Sequence, residues 1–189
     1  MSKTDLLSAA FGRHRDLVEK SMHSILPDVK RSADILVSAL KLGKKVLTCG
    51  NGGSAADSQH FAAELSGRYK KERRALPAIS LSADTSALTA ISNYYGYEKS
   101  FRRQVEALGK SGDVLVAITT SGSSKNVIGA ISAAKKIKMK VILLTGEKGS
   151  SLKNSVDAAV VVPTQETARI QEIHELIYHA WCEYIDAQI

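Results

Sequence analysis

Cysteine, proline and aromatic side chains are all scarce in this 189-residue chain, which holds two cysteines, three prolines and 5% Phe, Trp and Tyr. Cys49 and Cys182 are too few for a disulfide framework and their separation fits no zinc-finger spacing, so a reducing cytoplasm is the expected compartment. No apolar run approaches the roughly 20 residues of a membrane span. Residues 1–5 hold no apolar leader, and no membrane association is expected. The shortage of aromatics leaves no platform on which nucleic-acid bases would stack. Positive charge is plentiful by contrast. The formal net charge is +7, with clusters at Lys70, Lys71, Arg73 and Arg74 and at Lys135, Lys136 and Lys138. Without interleaved aromatics such runs read as solvated loops and helix ends. Nucleic acid is therefore not an expected partner, and the excess charge suits steering of an anionic metabolite.

What the chain does have is a repeated design in which an apolar run breaks into a Gly/Ser loop that opens a helix. Val46-Leu47-Thr48-Cys49 leads into Gly50-Asn51-Gly52-Gly53-Ser54, and Val114-Leu115-Val116-Ala117-Ile118 leads into Thr119-Thr120-Ser121-Gly122-Ser123-Ser124. Glycine lets backbone approach a ligand, helix-start N–H groups attract anions, and hydroxyls add donors. Two such loops point to a phosphorylated, polyhydroxylated ligand.

Around them the pattern alternates. Residues 4–42 read as helical, with one apolar face at Leu17, Val18, Met22, Ile25 and Leu26, another at Ile35, Leu36, Ala39 and Leu40, and a break at Pro27 and Asp28. Short buried strands are expected at 46–49, 78–81, 114–118, 141–144 and 158–162. Helices are expected at 54–67, 85–92, 99–108, 124–137 and 167–187. Continuous apolar strands alternating with helices imply a sheet covered on both faces. The expected fold is an α/β three-layer sandwich on a mostly parallel, five-stranded, Rossmann-like sheet. One domain is expected over 1–189, comprising a helical arm (1–42), an α/β core (43–163) and a C-terminal helix (164–189).

The first loop also fits G-x-G-x-x-A through Gly50, Gly52 and Ala55. That dinucleotide fingerprint wants an acidic residue about 20 positions on, whereas Asp84 lies about 30 beyond. A tight strand–helix turn without any ligand would also satisfy it. The second loop holds five hydroxyl residues in six positions. A helix start uses one or two, and the surplus suits a phosphate. Downstream of the first loop, His60 and Glu64 stand four apart and share a helix face. Such a pair can chelate a metal, share proton transfer, or simply hydrogen-bond on a surface. On the last helix Gln171 and His179 are eight apart, about 80° around and roughly 12 Å along, a long reach for one metal ion. Gln171 with His174 or Glu175 would be an easier pair, and His174 and His179 also suit purely structural roles. Spacing alone leaves the choice open.

Taken together, Cys49-Gly50-Asn51-Gly52-Gly53-Ser54, Gln59-His60-Phe61-Ala62-Ala63-Glu64, Thr120-Ser121-Gly122 and Arg169-Ile170-Gln171-Glu172 resemble the phosphoheptose isomerase family over nearly the whole chain. The resemblance implies the sugar-isomerase (SIS) fold and a cytoplasmic homotetramer with active sites at subunit interfaces. It implies conversion of D-sedoheptulose 7-phosphate to D-glycero-D-manno-heptose 7-phosphate, toward the heptose of bacterial lipopolysaccharide core. Carried over residue by residue, it implies one zinc ion per subunit on His60, Glu64, Gln171 and His179, with Glu64 and His179 catalytic. It implies substrate contacts at Asn51, Gly52, Gly53, Ser54, Glu64, Asn93, Tyr94, Thr119, Thr120, Ser121, Ser124 and Gln171. The chain departs from the family at Tyr94, where Asp is usual, and at Thr119, where Ser is usual; Ala168 replaces an Asp found in some members. A non-catalytic relative of the same fold, the tetrameric adaptor that binds the bacterial replication initiator, is the alternative. It resembles this chain around Gln59-His60-Phe61 but lacks the carboxylate matching Glu64.

Overall fold

The computed structural model describes residues 3–189. Its elements are α1 (Lys3–Ser24), α2 (Leu26–Lys41), β1 (Val46–Cys49), α3 (Gly53–Ser66), β2 (Ala78–Ser80), α4 (Thr85–Tyr95), α5 (Ser100–Leu108), β3 (Val114–Thr119), α6 (Lys125–Lys136), β4 (Lys140–Gly146), β5 (Ala158–Val162) and α7 (Thr167–Gln188). Short 3-10 segments lie at Tyr97–Lys99 and Glu147–Ser155, the second joining β4 to β5 where the other crossovers use α-helix. The chain turns between α1 and α2 at Ile25, and Pro27 with Asp28 occupies the first turn of α2. A proline is tolerated there because that N–H has no intrahelical partner.

The five strands are all parallel in the order β2-β1-β3-β4-β5, with Leu47 beside Leu115 and Leu115 beside Val141. Alternate strand residues enter two separate cores. Val46, Val116, Ile118, Ile142, Leu144 and Val160 face α2, α3 and α7, meeting Phe61, Leu65, Ile177 and Trp181. Leu47, Cys49, Leu115, Ala117, Val141 and Leu143 face α5 and α6, meeting Phe101, Val105, Val127 and Ala130. This two-sided burial is why the strands read as unbroken apolar runs. Trp181 fills the first core and satisfies its indole by donating to the Val29 carbonyl at 3.0 Å.

One expected apolar face needs correction. Leu17 and Ile25 are buried, but Met22 and Leu26 are more than half exposed, as are Leu6, Leu7 and Phe11. The apolar stripe of α1 is wider than the surface that α2 and α7 offer it. Helix α4 likewise buries none of its residues.

The basic clusters are largely spent inside the fold. Lys70 pairs with Glu183 at 2.5 Å, and Lys135 and Lys140 both reach Asp157. Arg73 has a deeper role. Its Nε donates to Asp186 at 2.9 Å with both side chains buried, while its terminal nitrogens donate to the Glu64 and Leu65 carbonyls at 2.9 and 3.0 Å. One guanidinium thus caps the C-terminal end of α3 and ties it to α7. Burial alone would raise the Asp186 carboxyl, but the Lys71 and Lys70 N–H groups and the Arg73 guanidinium outweigh it and hold it below its ordinary value. Removing one partner of a buried ion pair strands the other. Arg73→Ala should therefore lose about 3–5 kcal/mol of unfolding free energy in urea, whereas Lys30→Ala, which breaks an exposed pair with Asp34, should leave the urea midpoint unchanged within experimental error.

Candidate active site

In a parallel sheet, ligands bind outside the carboxyl ends of the strands where the strand order reverses. Here that point lies between β1 and β3, because the chain leaves β1 toward β2 on one side and returns to β3 on the other. Both Gly/Ser loops sit there, since Cys49 and Ala117 are paired neighbours at the strand ends.

The second loop is braced from below. The Thr145 hydroxyl donates to the Thr119 carbonyl at 2.7 Å, and the Gly146 N–H donates to the Thr120 carbonyl at 3.2 Å. Gly122 has φ +69°, and a Cβ there would lie 2.3 Å from the Gly149 Cα, so only glycine fits this turn. The loop hydroxyls partly engage one another. Thr119 and Ser124 stand 3.1 Å apart and Ser121 and Ser123 2.8 Å apart. Within each pair one hydroxyl donates and the other keeps its hydrogen, so donors remain beside the start of α6.

The first loop launches α3. Gly52 precedes that helix, and Ser54 is buried in its first turn. At Gly53 the helix α7 comes close, because a Cβ there would lie 2.5 Å from the Gln171 amide nitrogen. From this point α3 and α7 run side by side in the same sense, bringing His60 to Tyr178 and Phe61 to Trp181. The ligand atoms of His60, Glu64 and His179 lie within 4.8 Å of one another. His60 Nε2 is 3.2 Å from Glu64 Oε1, and the His60 and His179 rings meet edge to face at 5.0 Å. Tyr69 also stacks on the His179 ring at 5.5 Å.

Gln171 is held apart from this trio at the level of Gly53, in keeping with the long reach its spacing implies. Asn51 is tied to Asn126 and Tyr97, while Asn93 and Tyr94 are exposed on α4. Among the described residues no other group of three or more His, Cys, Asp or Glu side chains has metal-binding spacing.

Several site residues were not found from sequence. The buried Tyr178 hydroxyl lies 3.0 Å from His60 Nδ1, and burial, helped by nearby Glu175 and Asp57, pushes its phenol well above the ordinary value. Asp57 is pushed up to about 6 by burial and by Glu175, with His60 opposing. Asp57 and His60 are three apart on one helix, a spacing that sequence could have flagged.

The SIS domain family profile matches residues 11–146. The phosphoheptose isomerase of Helicobacter pylori strain P12 is 52% identical over 182 residues, covering 96% of this chain and 95% of the relative. The chain belongs to the phosphoheptose isomerase family. Solved phosphoheptose isomerase structures agree in shape. That of Neisseria gonorrhoeae gives a TM-score of 0.92 at 43% identity, covering 98% of this chain and all of the other. That of Francisella tularensis gives 0.95 at 39% identity, covering 99% of this chain and all of the other. The phosphoheptose isomerase family therefore accounts for both the sheet and the two helices that carry the His/Glu group.

His174, on the same helix, is fully buried with neither ring nitrogen hydrogen-bonded, and desolvation pushes its imidazole down to about 4. An imidazole kept neutral when folded stabilises fully above its unfolded value near 6.5, and that contribution fades as pH falls toward 4. Relative to His174→Gln, the wild type should lose about 2 kcal/mol of unfolding free energy between about pH 7.5 and about pH 5, as measured in urea.

Proposed function

We propose that this protein interconverts D-sedoheptulose 7-phosphate and D-glycero-D-manno-heptose 7-phosphate, supplying heptose for bacterial lipopolysaccharide core. The observation that carries this reading is the meeting of Glu64 and His179 from two neighbouring helices, in a chain whose sheet also gathers two phosphate-type loops at its switch point. Relatives about half identical to this chain bear the name phosphoheptose isomerase, which disfavours the adaptor alternative.

Ketose–aldose interconversion moves a proton between C1 and C2 through an enediol. Glu64 takes the role of general base at carbon, and His179 moves protons at the carbonyl and hydroxyl oxygens. The second loop, through Thr119, Thr120, Ser121 and Ser124, holds the phosphate remotely and so orients the reacting carbons. The first loop lines the sugar through the Asn51 main chain, Gly52, Gly53 and Ser54, and Asn93 and Tyr94 close over it. The Gln171 amide against Gly53 supports a role for Gln171 in substrate contact.

Two imidazoles and a carboxylate at this spacing are the donor set of a divalent zinc site, so we assign one zinc per subunit to His60, Glu64 and His179; Gln171, which the resemblance adds as a fourth ligand, stands at Gly53 apart from them and is assigned to the substrate instead. Zinc bound there supplies a Lewis acid for the substrate oxygens. A ligating carboxylate is a weaker base, so the two roles of Glu64 compete. We further assign a homotetramer, which the exposed Leu6, Leu7 and Phe11 of α1 support. No helix of the described residues is long and apolar enough to cross a membrane, and the two buried free thiols suit the cytoplasm.

Purified protein should convert sedoheptulose 7-phosphate, with kcat falling about 10²–10⁴-fold in both Glu64→Gln and His179→Ala. No product from the wild type, with or without zinc, refutes the isomerase; full activity in Glu64→Gln refutes the base assignment. Calorimetric titration should give one zinc per chain in the wild type and at least tenfold weaker binding in His60→Ala. Equal affinities would remove His60 from the ligand set.

A further inference from the structure

The two loops are joined by an amide lock that the reaction scheme leaves unused. Asn51, at the end of β1, and Asn126, in the first turn of α6, face each other reciprocally. Asn51 Nδ2 donates to Asn126 Oδ1 at 2.9 Å, and Asn126 Nδ2 donates back to Asn51 Oδ1 at 2.9 Å. Asn51 Oδ1 also accepts from the Tyr97 hydroxyl at 2.7 Å. Asn126 Oδ1 accepts a second bond from the Val127 N–H at 3.0 Å, and its Nδ2 lies 3.4 Å from the Ser100 hydroxyl. An amide oxygen has two lone pairs, so both oxygens of the pair are fully engaged. Asn126 is almost completely buried, so its amide has no solvent to turn to.

From this geometry we infer that the Asn51 side chain is a positioning group rather than a substrate contact. Asn126 and Tyr97 hold it so that the main-chain N–H groups of the first loop stay at a fixed distance from the phosphate loop. The inference deepens the isomerase reading and rests on it. Its logic is mechanical. The loops leave adjacent parallel strands, and a sugar phosphate spanning them needs their separation fixed, because a displacement of about 1 Å can cost about 10²-fold in rate. Tyr97 extends the lock to a third segment. It stands just past α4, which carries Asn93 and Tyr94, so all three stretches assigned to the substrate converge on one amide.

The test is a double-mutant cycle read by steady-state kinetics on sedoheptulose 7-phosphate, using Asn51→Ala, Asn126→Ala, the double variant and Tyr97→Phe. Each alanine variant should lower kcat/KM by about tenfold or more, and the double variant should be no worse than the weaker single within about threefold. Tyr97→Phe, which removes one oxygen from a half-exposed ring, should raise KM about threefold or more. In Asn51→Ala and Tyr97→Phe, inorganic phosphate should keep its wild-type inhibition constant within about threefold, since it needs only the second loop; a general loss of structure would weaken both. Multiplicative losses in the double variant, or a wild-type KM in Tyr97→Phe, overturn the inference while leaving the isomerase intact. If Asn126→Ala does not fold, Tyr97→Phe decides alone. A wild type that fails to turn over the sugar sinks the isomerase reading and this inference with it.

Discussion

The site depends on one seam, the contact between α3 and α7. Glu64 comes from one helix and His179 from the other, so their spacing is set by how the helices dock and not by either helix alone. Phe61 and Trp181, 5.7 Å apart between ring centroids, pack the inside of the seam. Arg73 fixes its far end, holding the carbonyls of Glu64 and Leu65 with the same guanidinium that pairs with Asp186. Packing supplies the attraction and the ion pair supplies the register. A slide of one helical residue would shift the ligand atoms by about 1.5 Å, a sizeable fraction of the 4.8 Å within which they lie.

The sheet contributes by bringing the two loops to the same place. Nothing in either loop specifies its neighbour; the parallel order β2-β1-β3-β4-β5 does so. Adjacent parallel strands lie about 4.8 Å apart, close enough for one small ligand to touch both loops. The brace beneath the second loop, through Thr145, Gly146 and Gly149, comes from the next strand and its 3-10 connection. The crevice is therefore walled by elements on both sides of the reversal.

Much of this was legible in the sequence because the relevant signals are local. Strands buried on both faces give unbroken apolar runs, and all five emerge near their expected positions. The His60–Glu64 pair was visible because four residues is about one helical turn. The strand order was not, since it depends on packing between segments tens of residues apart. Tyr178, Arg73 and Asn126 were missed for the same reason. Each acts on a residue 118, 113 or 75 positions away, and no periodicity reports that. The burial expected at Met22 and Leu26 failed because an apolar stripe states what a helix is able to cover and not what the chain provides to cover it.

Tyr178 shows how a missed residue changes the reading of a found one. A histidine offers a lone pair at one ring nitrogen only when the other carries the proton. His60 faces Glu64 through Nε2 and the Tyr178 hydroxyl through Nδ1. A phenol that stays neutral can both accept and donate, and burial keeps Tyr178 protonated. When Nε2 serves as a ligand, the Tyr178 oxygen accepts the Nδ1 proton; when Nε2 donates to Glu64, the hydroxyl donates to Nδ1 instead. Either tautomer leaves both ring nitrogens and the buried Tyr178 hydroxyl satisfied. A phenylalanine would keep the ring contacts with His60, Phe61 and His179 but would favour neither state, which makes the hydroxyl the part of Tyr178 that answers the His60 tautomer.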